Sequence, residues 1–122
     1  MKRHYAFTHL RAEIGYSTWA VLVGGAPLPE EDEFFWRVTG LLLIQGYGLT
    51  ETTAIVSVNF PLLGGFGSVG KPLGGQEVRL AGDGEILVRG PNVMPRYYGE
   101  GEGGEAFEEG FLRTGDIGRL DA

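Results

Sequence analysis

Two short apolar runs constrain the fold more than any other feature of the sequence. Residues 41–44, LLLI, are apolar without alternation, which is typical of a strand buried on both faces in a parallel sheet. Residues 19–23, WAVLV, also predict a buried strand. Parallel strands need a crossover connection between them, so the segment that joins the two runs decides the topology.

That joining segment has the signals of a helix. Pro29 suits the start of a helix, and the acidic residues Glu30, Glu31 and Asp32 follow where the helix dipole favours negative charge. Three apolar residues then form a stripe, and Gly40 ends the helix; the stripe comprises Phe34, Phe35 and Val38. Residues 19–44 therefore predict a βαβ unit that needs further strands beside it.

The flanking segments complete the predicted fold. Residues 2–15 predict a helix that ends at Gly15. Residues 77–80 and 85–89 predict two strands around the turn GDG. Residues 111–113 and 117–120 predict two more strands. The fold class is α/β (α+β), with a partial βαβ sheet subdomain over residues 1–60 and a small β-rich, barrel-like subdomain over residues 61–122.

Charge and composition exclude several classes of function. The chain has 122 residues and a net charge of −6, whereas affinity for nucleic acid comes mostly from Lys and Arg. We therefore expect no nucleic-acid partner. The absence of cysteine excludes a zinc–thiolate site and fits a reducing compartment. The apolar runs are too short for a signal sequence or a membrane span, so we expect a soluble, cytoplasmic protein with no transmembrane segment.

The stretch GFGSVGKP at residues 65–72 imitates two phosphate-binding patterns. It fits G-x-G-x-x-G, and it fits G-x-x-x-x-G-K-[ST] except that Pro72 lacks the required hydroxyl. A true phosphate loop lies between a strand and a helix. Pro61 weakens a strand before it, and LGGQEV after it predicts no helix. We interpret the stretch as a turn that leads into the β-rich unit.

Two polar segments follow the two predicted parallel strands directly. QGYGLTET occupies residues 45–52, and GGAP occupies residues 24–27. Ligands of open α/β sheets bind beyond the carboxyl ends of strands, so these segments are candidates to line one crevice. Taken singly, Thr50 and Glu51 also suit a helix cap and a first-turn acid, Tyr47 a core or rim aromatic, and Asp116 a turn.

Five motifs in order carry a family resemblance: GGAPLP, QGYGLTET, GSVGKP, GEILVRGPNVM and LRTGD. Together they resemble the adenylate-forming superfamily, which includes AMP-forming acyl- and aryl-CoA ligases, beetle luciferases and peptide-synthetase adenylation domains. The wording is most similar to long- or medium-chain acyl-CoA synthetases, over about residues 10 to 121. Two departures are Arg96, where the family usually has Gly, and Gly74, where Pro is common.

The resemblance implies a role for each matching residue. Thr50 and Glu51 are the implied catalytic residues, with Thr50 donating to phosphate and Glu51 holding Mg²⁺. Tyr47 offers a ring on which adenine stacks, and Asp116 accepts both ribose hydroxyls. The implied nucleotide-binding set is Gly25, Ala26, Pro27, Gln45, Gly46, Tyr47, Gly48, Thr50 and Asp116.

The implied reaction has two steps. A carboxylic acid, expected to be a fatty acid, attacks the α-phosphorus of ATP and releases pyrophosphate. Coenzyme A thiolate then attacks the acyl-adenylate and releases AMP. The family's phosphate loop and C-terminal domain have no match here, so we expect the rest of a synthetase chain as a partner and no activity from this segment alone.

Other readings remain open. The chain could be a truncated, non-catalytic remnant or an adenylate-binding module. It could belong to an aryl-CoA ligase or a peptide-synthetase adenylation domain. A small glycine-rich interaction domain outside the family is the remaining alternative.

Overall fold

The computed structural model describes residues 7–60, 65–99 and 104–121. Their elements, in chain order, are α1 Thr8–Ile14, β1 Ala20–Val23, α2 Glu30–Val38, β2 Leu42–Tyr47, a 3-10 turn Thr50–Thr52, β3 Ser57–Asn59, β4 Lys71–Pro72, β5 Glu77–Leu80, β6 Glu85–Arg89, β7 Phe107–Glu108 and β8 Phe111–Ile117. No helix in these ranges has the length and apolar character needed to cross a membrane.

The elements form two sheets and two compact units. One sheet has the strand order β1-β2-β3-β4, and the other has the order β5-β6-β8-β7. Unit 1 comprises residues 1–46 and 58–70, and unit 2 comprises residues 47–57 and 71–122. The architecture is therefore mixed α/β, as the sequence predicts.

The predicted βαβ unit is confirmed in unit 1. Strands β1 and β2 pair in parallel, with registers that run from Ala20 opposite Leu42 to Val23 opposite Gln45. Helix α2 connects them and begins directly after Pro29 with an acidic first turn. Gly40 follows the helix with φ +84°, a left-handed conformation that glycine adopts without strain. Helix α1 likewise ends at Gly15 as predicted, while residues 2–6 of that prediction lie outside the described ranges.

The prediction of strands buried on both faces is wrong. Trp19 is 71% exposed and Leu22 is 69% exposed. Residues 41–44 alternate instead of being uniformly buried, because Leu41 and Leu43 are buried while the two residues that follow them are half-buried. Successive side chains of a strand point to opposite faces, and the described residues cover only one face fully.

The apolar stripe of α2 is not its most buried face among the described residues. Phe34 is 60% exposed and Phe35 is 42% exposed, whereas Glu33 is only 2% exposed. Arg37 donates from Nη2 to Oε1 of Glu33 over 2.6 Å. This partner lies one turn along the helix, where spacing places both side chains on one face. The buried carboxylate is thus paired, as buried charges must be.

The second oxygen of Glu33 organises the stretch GFGSVGKP. The Gly67 N–H donates to Oε2 of Glu33 over 3.0 Å, and the Gly70 N–H donates to Oγ of Ser68 over 3.1 Å. Two amides that a phosphate would need are therefore already bound, one of them to a negative charge. This geometry supports the interpretation as a turn, and it ends in the short strand β4.

Unit 2 contains the predicted hairpin. Strands β5 and β6 pair antiparallel around residues 82–84, and Oδ1 of Asp83 accepts the Glu85 N–H at the turn over 3.0 Å. Strand β6 then pairs with β8, where Val88 lies opposite Leu112. These two side chains are 0% and 1% exposed, so the core of unit 2 lies along this strand pair.

The predicted strand over residues 111–113 is confirmed, but the prediction of a separate strand over residues 117–120 is wrong. A single strand, β8, runs through the TGD motif to Ile117. Gly115 has φ +75°, and its N–H donates to Oε1 of Glu85 over 2.9 Å. The register between β6 and β8 shifts between Glu85 and Leu87. The motif is therefore a bulge inside a strand rather than a turn between strands.

The barrel-like prediction for the second half is wrong as well. Its sheet is open, with β5 and β7 at the two ends of the order β5-β6-β8-β7. Closing a sheet requires its first and last strands to pair, and that pairing does not occur among the described strands. Strand β7 has only two residues, too few to produce a periodic signal in the sequence.

We expect Glu33→Ala to destabilise the protein by about 3 kcal/mol, because it leaves the Arg37 guanidinium and the Gly67 amide without their acceptor. Urea unfolding of the wild-type and substituted proteins measures the change in the free energy of unfolding. Glu31→Ala is the matched control, since Glu31 lies in the same helical turn but is exposed. Equal, small effects of the two substitutions would contradict a structural role for the buried carboxylate.

Candidate functional site

A hydrogen bond in unit 2 joins two of the predicted motifs. The Tyr47 hydroxyl donates to Oδ2 of Asp116 over 2.8 Å, across 69 positions of sequence. Tyr47 is the last residue of β2, and Asp116 lies in β8 just after the bulge. The structure therefore brings the aromatic residue of QGYG and the carboxylate of TGD into direct contact.

The bulge that presents Asp116 is held by Glu85. Arg113 donates to Oε2 of Glu85 from Nε and Nη2, over 2.8 and 2.5 Å. The Gly115 N–H donates to the other oxygen of Glu85, Oε1. Arg113 and the Gly115 amide hold the pKa of the Glu85 carboxyl below its usual range. Glu85 is 7% exposed, whereas Asp116, the residue that follows Gly115, is exposed. Sequence reasoning missed Glu85 and Arg113, because only the strand register shows that they meet.

Tyr47 is held in its protonated form. Burial raises the pKa of Tyr47 to about 12, and the neighbouring Asp116 carboxylate adds to this, while a hydrogen bond with Thr114 opposes it. A neutral phenol is a hydrogen-bond donor. Tyr47 therefore remains a donor to Asp116 at neutral pH.

The 3-10 turn places Thr50 at the surface. Thr52, which is 0% exposed, accepts the Leu49 N–H and donates to the Leu49 carbonyl, over 2.9 and 3.0 Å. Thr50 is exposed, and its hydroxyl makes no hydrogen bond with any described residue. The structural role at the start of this turn thus belongs to Thr52, and the Thr50 hydroxyl is accessible to a ligand.

Glu51 is a single, ionised carboxylate beside Thr50. Its own backbone N–H and the Tyr97 hydroxyl, which donates to Oε1 over 2.9 Å, hold the pKa of Glu51 below its usual range. In the described ranges, no three His, Cys, Asp or Glu side chains lie close enough together to hold a metal by themselves. One carboxylate fits Mg²⁺, which is usually bound through one or two carboxylates, substrate phosphates and water.

Gly48 has a structural reason to be glycine. A Cβ atom at this position would lie 2.4 Å from the carbonyl oxygen of Ala54. Gly48 therefore allows a close approach of the chain's own following turn.

The remaining predicted residues lie in unit 1, at the carboxyl ends of β1 and β2. A Cβ on Gly24 would lie 3.1 Å from the Gly46 carbonyl oxygen, so the two strand ends are adjacent. Gly25 has φ +87° and turns the chain into Ala26 and Pro27. Gln45 is 5% exposed, and its Oε1 accepts no hydrogen bond from the described part of the chain.

Unit 2 also contains a cavity of about 400 Å³. Its lining comes from the end of β6, from residues 93–95 and from the segment before β8: Arg89, Gly90, Val93, Met94, Pro95, Phe107, Glu109 and Gly110. The predicted site residues of unit 2 do not line it, so the cavity and the Tyr47–Asp116 contact are separate features.

Comparisons with known proteins agree on one family. A family model described as AMP-binding enzyme matches residues 2–98. The chain is 41% identical over 116 residues to the long-chain-fatty-acid–CoA ligase FadD15 of Mycobacterium bovis, covering 94% of this chain and 19% of that ligase. The chain thus spans about a fifth of the length of this curated relative.

Solved structures give the same result. The AMP complex of O-succinylbenzoate coenzyme A synthetase (MenE) from Bacillus subtilis matches with a TM-score of 0.79 and 34% identity, covering 97% of this chain and 28% of that one. The complex of the same enzyme with ATP and magnesium matches with a TM-score of 0.76 and 33% identity, covering 93% and 28%.

We expect a tyrosinate titration to detect Tyr47 near pH 12, two units above its usual value of 10.0. The folded protein then binds one more proton than the unfolded chain between pH 10 and 12, so stability falls as pH rises through that window. Ultraviolet difference spectra of the natural protein against Tyr47→Phe measure the ionisation. A Tyr47 signal complete by pH 10 would contradict the burial and the Asp116 contact.

Proposed function

The chain belongs to the family of AMP-binding enzymes, and from this membership we propose that it is part of an ATP-dependent, AMP-forming acyl-CoA ligase. The ligase activates a carboxylic acid as an acyl-adenylate and transfers the acyl group to coenzyme A. The observation that carries the proposal is the contact of Tyr47 with Asp116, which brings together two motifs for which the resemblance implies nucleotide binding.

Asp116 is suited to hold the ribose. A carboxylate offers about four lone-pair positions, and Tyr47 occupies one of them on Oδ2. The exposed carboxylate therefore retains enough acceptor capacity for two ribose hydroxyls. The bulge that Glu85 holds fixes the backbone position of Asp116. Hydrogen bonds to an ionised acceptor such as this carboxylate are stronger than those between neutral groups.

We propose nucleotide contacts for Tyr47 of unit 2 and, separately, for Gln45 and residues 25–27 of unit 1. The Tyr47 ring offers an aromatic face for stacking. The buried Oε1 of Gln45 has no donor among the described residues, so the exocyclic amine of adenine would satisfy it. The small residues of GGAP leave room for a base, and Gly46 and Gly48 complete the proposed nucleotide-binding set.

The phosphate end is assigned to Thr50 and Glu51 as the catalytic pair. The exposed Thr50 hydroxyl would donate to a phosphate oxygen, and the ionised Glu51 would hold Mg²⁺. When bound, Mg²⁺ neutralises charge on the phosphate oxygens. The contribution of the two residues is positioning and electrostatic stabilisation, the usual sources of catalysis in reactions at phosphorus.

A fatty acid is the first candidate for the acid substrate, since the FadD15 relative is named as a long-chain fatty-acid ligase. With this substrate, the proposed reaction belongs to fatty acid metabolism. O-succinylbenzoate is the second candidate, favoured by the matches to solved O-succinylbenzoate synthetases. A non-catalytic adenylate-binding module is the alternative outside catalysis.

We propose that the rest of a synthetase chain is the partner of this segment. Residues 1–60 would end the central α/β subdomain, and residues 61–122 would form most of the β-rich one. Support comes from Trp19 and Leu22, whose large apolar side chains are about 70% exposed beside the edge strand β1. Exposed apolar surface next to the edge of a sheet is typical of a surface that further polypeptide covers.

We expect Asp116→Asn to weaken AMP binding by roughly 10- to 100-fold, the equivalent of about 1.5–3 kcal/mol for hydrogen bonds to a charged acceptor. Isothermal titration calorimetry of the natural protein with AMP measures the affinity. Asp121→Asn is the matched control, because Asp121 is an exposed carboxylate in the same unit. Equal affinities of all three proteins would refute the assignment of Asp116 to the ribose.

We expect the isolated 122-residue chain to form no AMP from ATP, fatty acid and coenzyme A, whereas the natural protein forms it. The assigned residues would bind only the nucleotide and Mg²⁺, and about four fifths of the FadD15 relative lies outside the match. Chromatographic detection of AMP measures turnover. Turnover by the purified chain alone would show that the remaining segments are dispensable.

A further inference from the structure

We propose that residues 90–97 form a clamp that fixes Thr50 and Glu51 in position, and that Asn92 is its central positioning residue. This inference rests on the proposed function, because it assumes that Thr50 and Glu51 act on the phosphates and on Mg²⁺. All the residues involved belong to unit 2.

Asn92 is hydrogen-bonded to the backbone that follows Thr50 and Glu51 in the chain. Its Nδ2 donates to the carbonyl oxygens of Thr52 and Ile55, over 2.8 and 2.6 Å. Thr53 returns a hydrogen bond from Oγ1 to the Asn92 carbonyl over 2.8 Å. Three hydrogen bonds therefore tie one loop residue to the turn that follows Glu51.

The same loop holds Glu51 itself at two points. The Met94 N–H donates to the Glu51 carbonyl oxygen over 2.7 Å. The Tyr97 hydroxyl donates to Oε1 of Glu51 over 2.9 Å. The main chain and the side chain of Glu51 are thus fixed from one loop, while the exposed Thr50 hydroxyl is left open.

The clamp has a conformational task. Thr53 and Ala54, consecutive residues with side chains, have φ values of +53° and +72°. The left-handed region is unfavourable for both, and especially for a β-branched residue. Such a turn persists only when its surroundings impose it. Asn92 bonds both sides of this pair, at Thr52 and Ile55, and so prevents the turn from relaxing and moving Glu51.

The chain supplies a matched control in unit 1. Asn59 donates from Nδ2 to the carbonyl oxygens of Gly65 and Ser68, each over 2.9 Å, and so makes the same two kinds of bond as Asn92. Both asparagines also have a buried Oδ1 without a partner in the described part of the chain. The loop that Asn59 holds contains no proposed site residue.

The test compares Asn92→Ala with Asn59→Ala in the whole natural protein. Affinities for Mg·ATP and for adenosine are measured separately, together with kcat for AMP formation and thermal unfolding. For Asn92→Ala we expect about tenfold weaker Mg·ATP binding, adenosine binding within about twofold of wild type, and kcat lowered roughly 100-fold, the scale of a small misplacement of catalytic groups. For Asn59→Ala we expect a similar loss of thermal stability with all three functional values within about twofold.

Tyr97→Phe serves as the milder variant, because Tyr97 is 41% exposed and its substitution leaves the turn intact. We expect it to weaken Mg·ATP binding about threefold, as the loss of one hydrogen bond does, and to leave adenosine binding unchanged. Asn92→Ala and Tyr97→Phe proteins that both bind Mg·ATP like wild type would overturn the clamp. Equal weakening of Mg·ATP and adenosine binding would overturn it too.

Thr50→Ala and Glu51→Gln separate this inference from the proposed function. Weaker Mg·ATP binding in these two variants, with normal binding in Asn92→Ala and Tyr97→Phe, refutes the clamp and leaves the catalytic pair in place. Normal Mg·ATP binding in Thr50→Ala and Glu51→Gln refutes the proposed roles of the pair, and with them the purpose of the clamp.

Discussion

A carboxylate shared between an arginine and a glycine amide fixes the decisive loop in each unit. In unit 1, Glu33 binds Arg37 and the Gly67 N–H, and in unit 2, Glu85 binds Arg113 and the Gly115 N–H. Both glycines have positive φ values, so each carboxylate holds a backbone conformation that an ordinary residue would resist. The charge on each carboxylate is matched by an arginine, which allows the group to be buried.

These two carboxylates also mark the limit of what the sequence could predict. Helix α2 and the hairpin β5–β6 follow from local signals, namely proline, acidic first-turn residues and a GDG turn, and these elements were predictable. Glu33 meets Gly67 across 34 positions and Glu85 meets Gly115 across 30. Such contacts depend on strand register and on which helical face is buried, and no local pattern encodes either. The apolar stripe of α2 therefore does not indicate that Glu33 is the most buried residue of the helix.

The candidate site divides in the same way. The order of motifs was enough to nominate Tyr47 and Asp116, and the hydrogen bond between them brings the two together. The sequence could not show why the surrounding residues matter. Gly48 leaves room for the close approach of Ala54, and Asn92 holds the conformation of the turn. Both roles follow from the left-handed conformations of Thr53 and Ala54. A glycine in the sequence indicates where a left-handed conformation is common, whereas a Thr or an Ala does not.

Two loops in this chain resemble phosphate sites, and the state of their polar groups distinguishes them. In residues 65–70, the Gly67 amide already binds a carboxylate and the Gly70 amide binds Ser68. A phosphate there would have to displace a buried negative charge that Arg37 also holds. In the turn Thr50–Thr52, the structural hydrogen bonds are made by Thr52, and the Thr50 hydroxyl is left to solvent. The polar groups of the first loop are thus already used within the chain, whereas the second loop leaves an exposed hydroxyl that no described residue bonds.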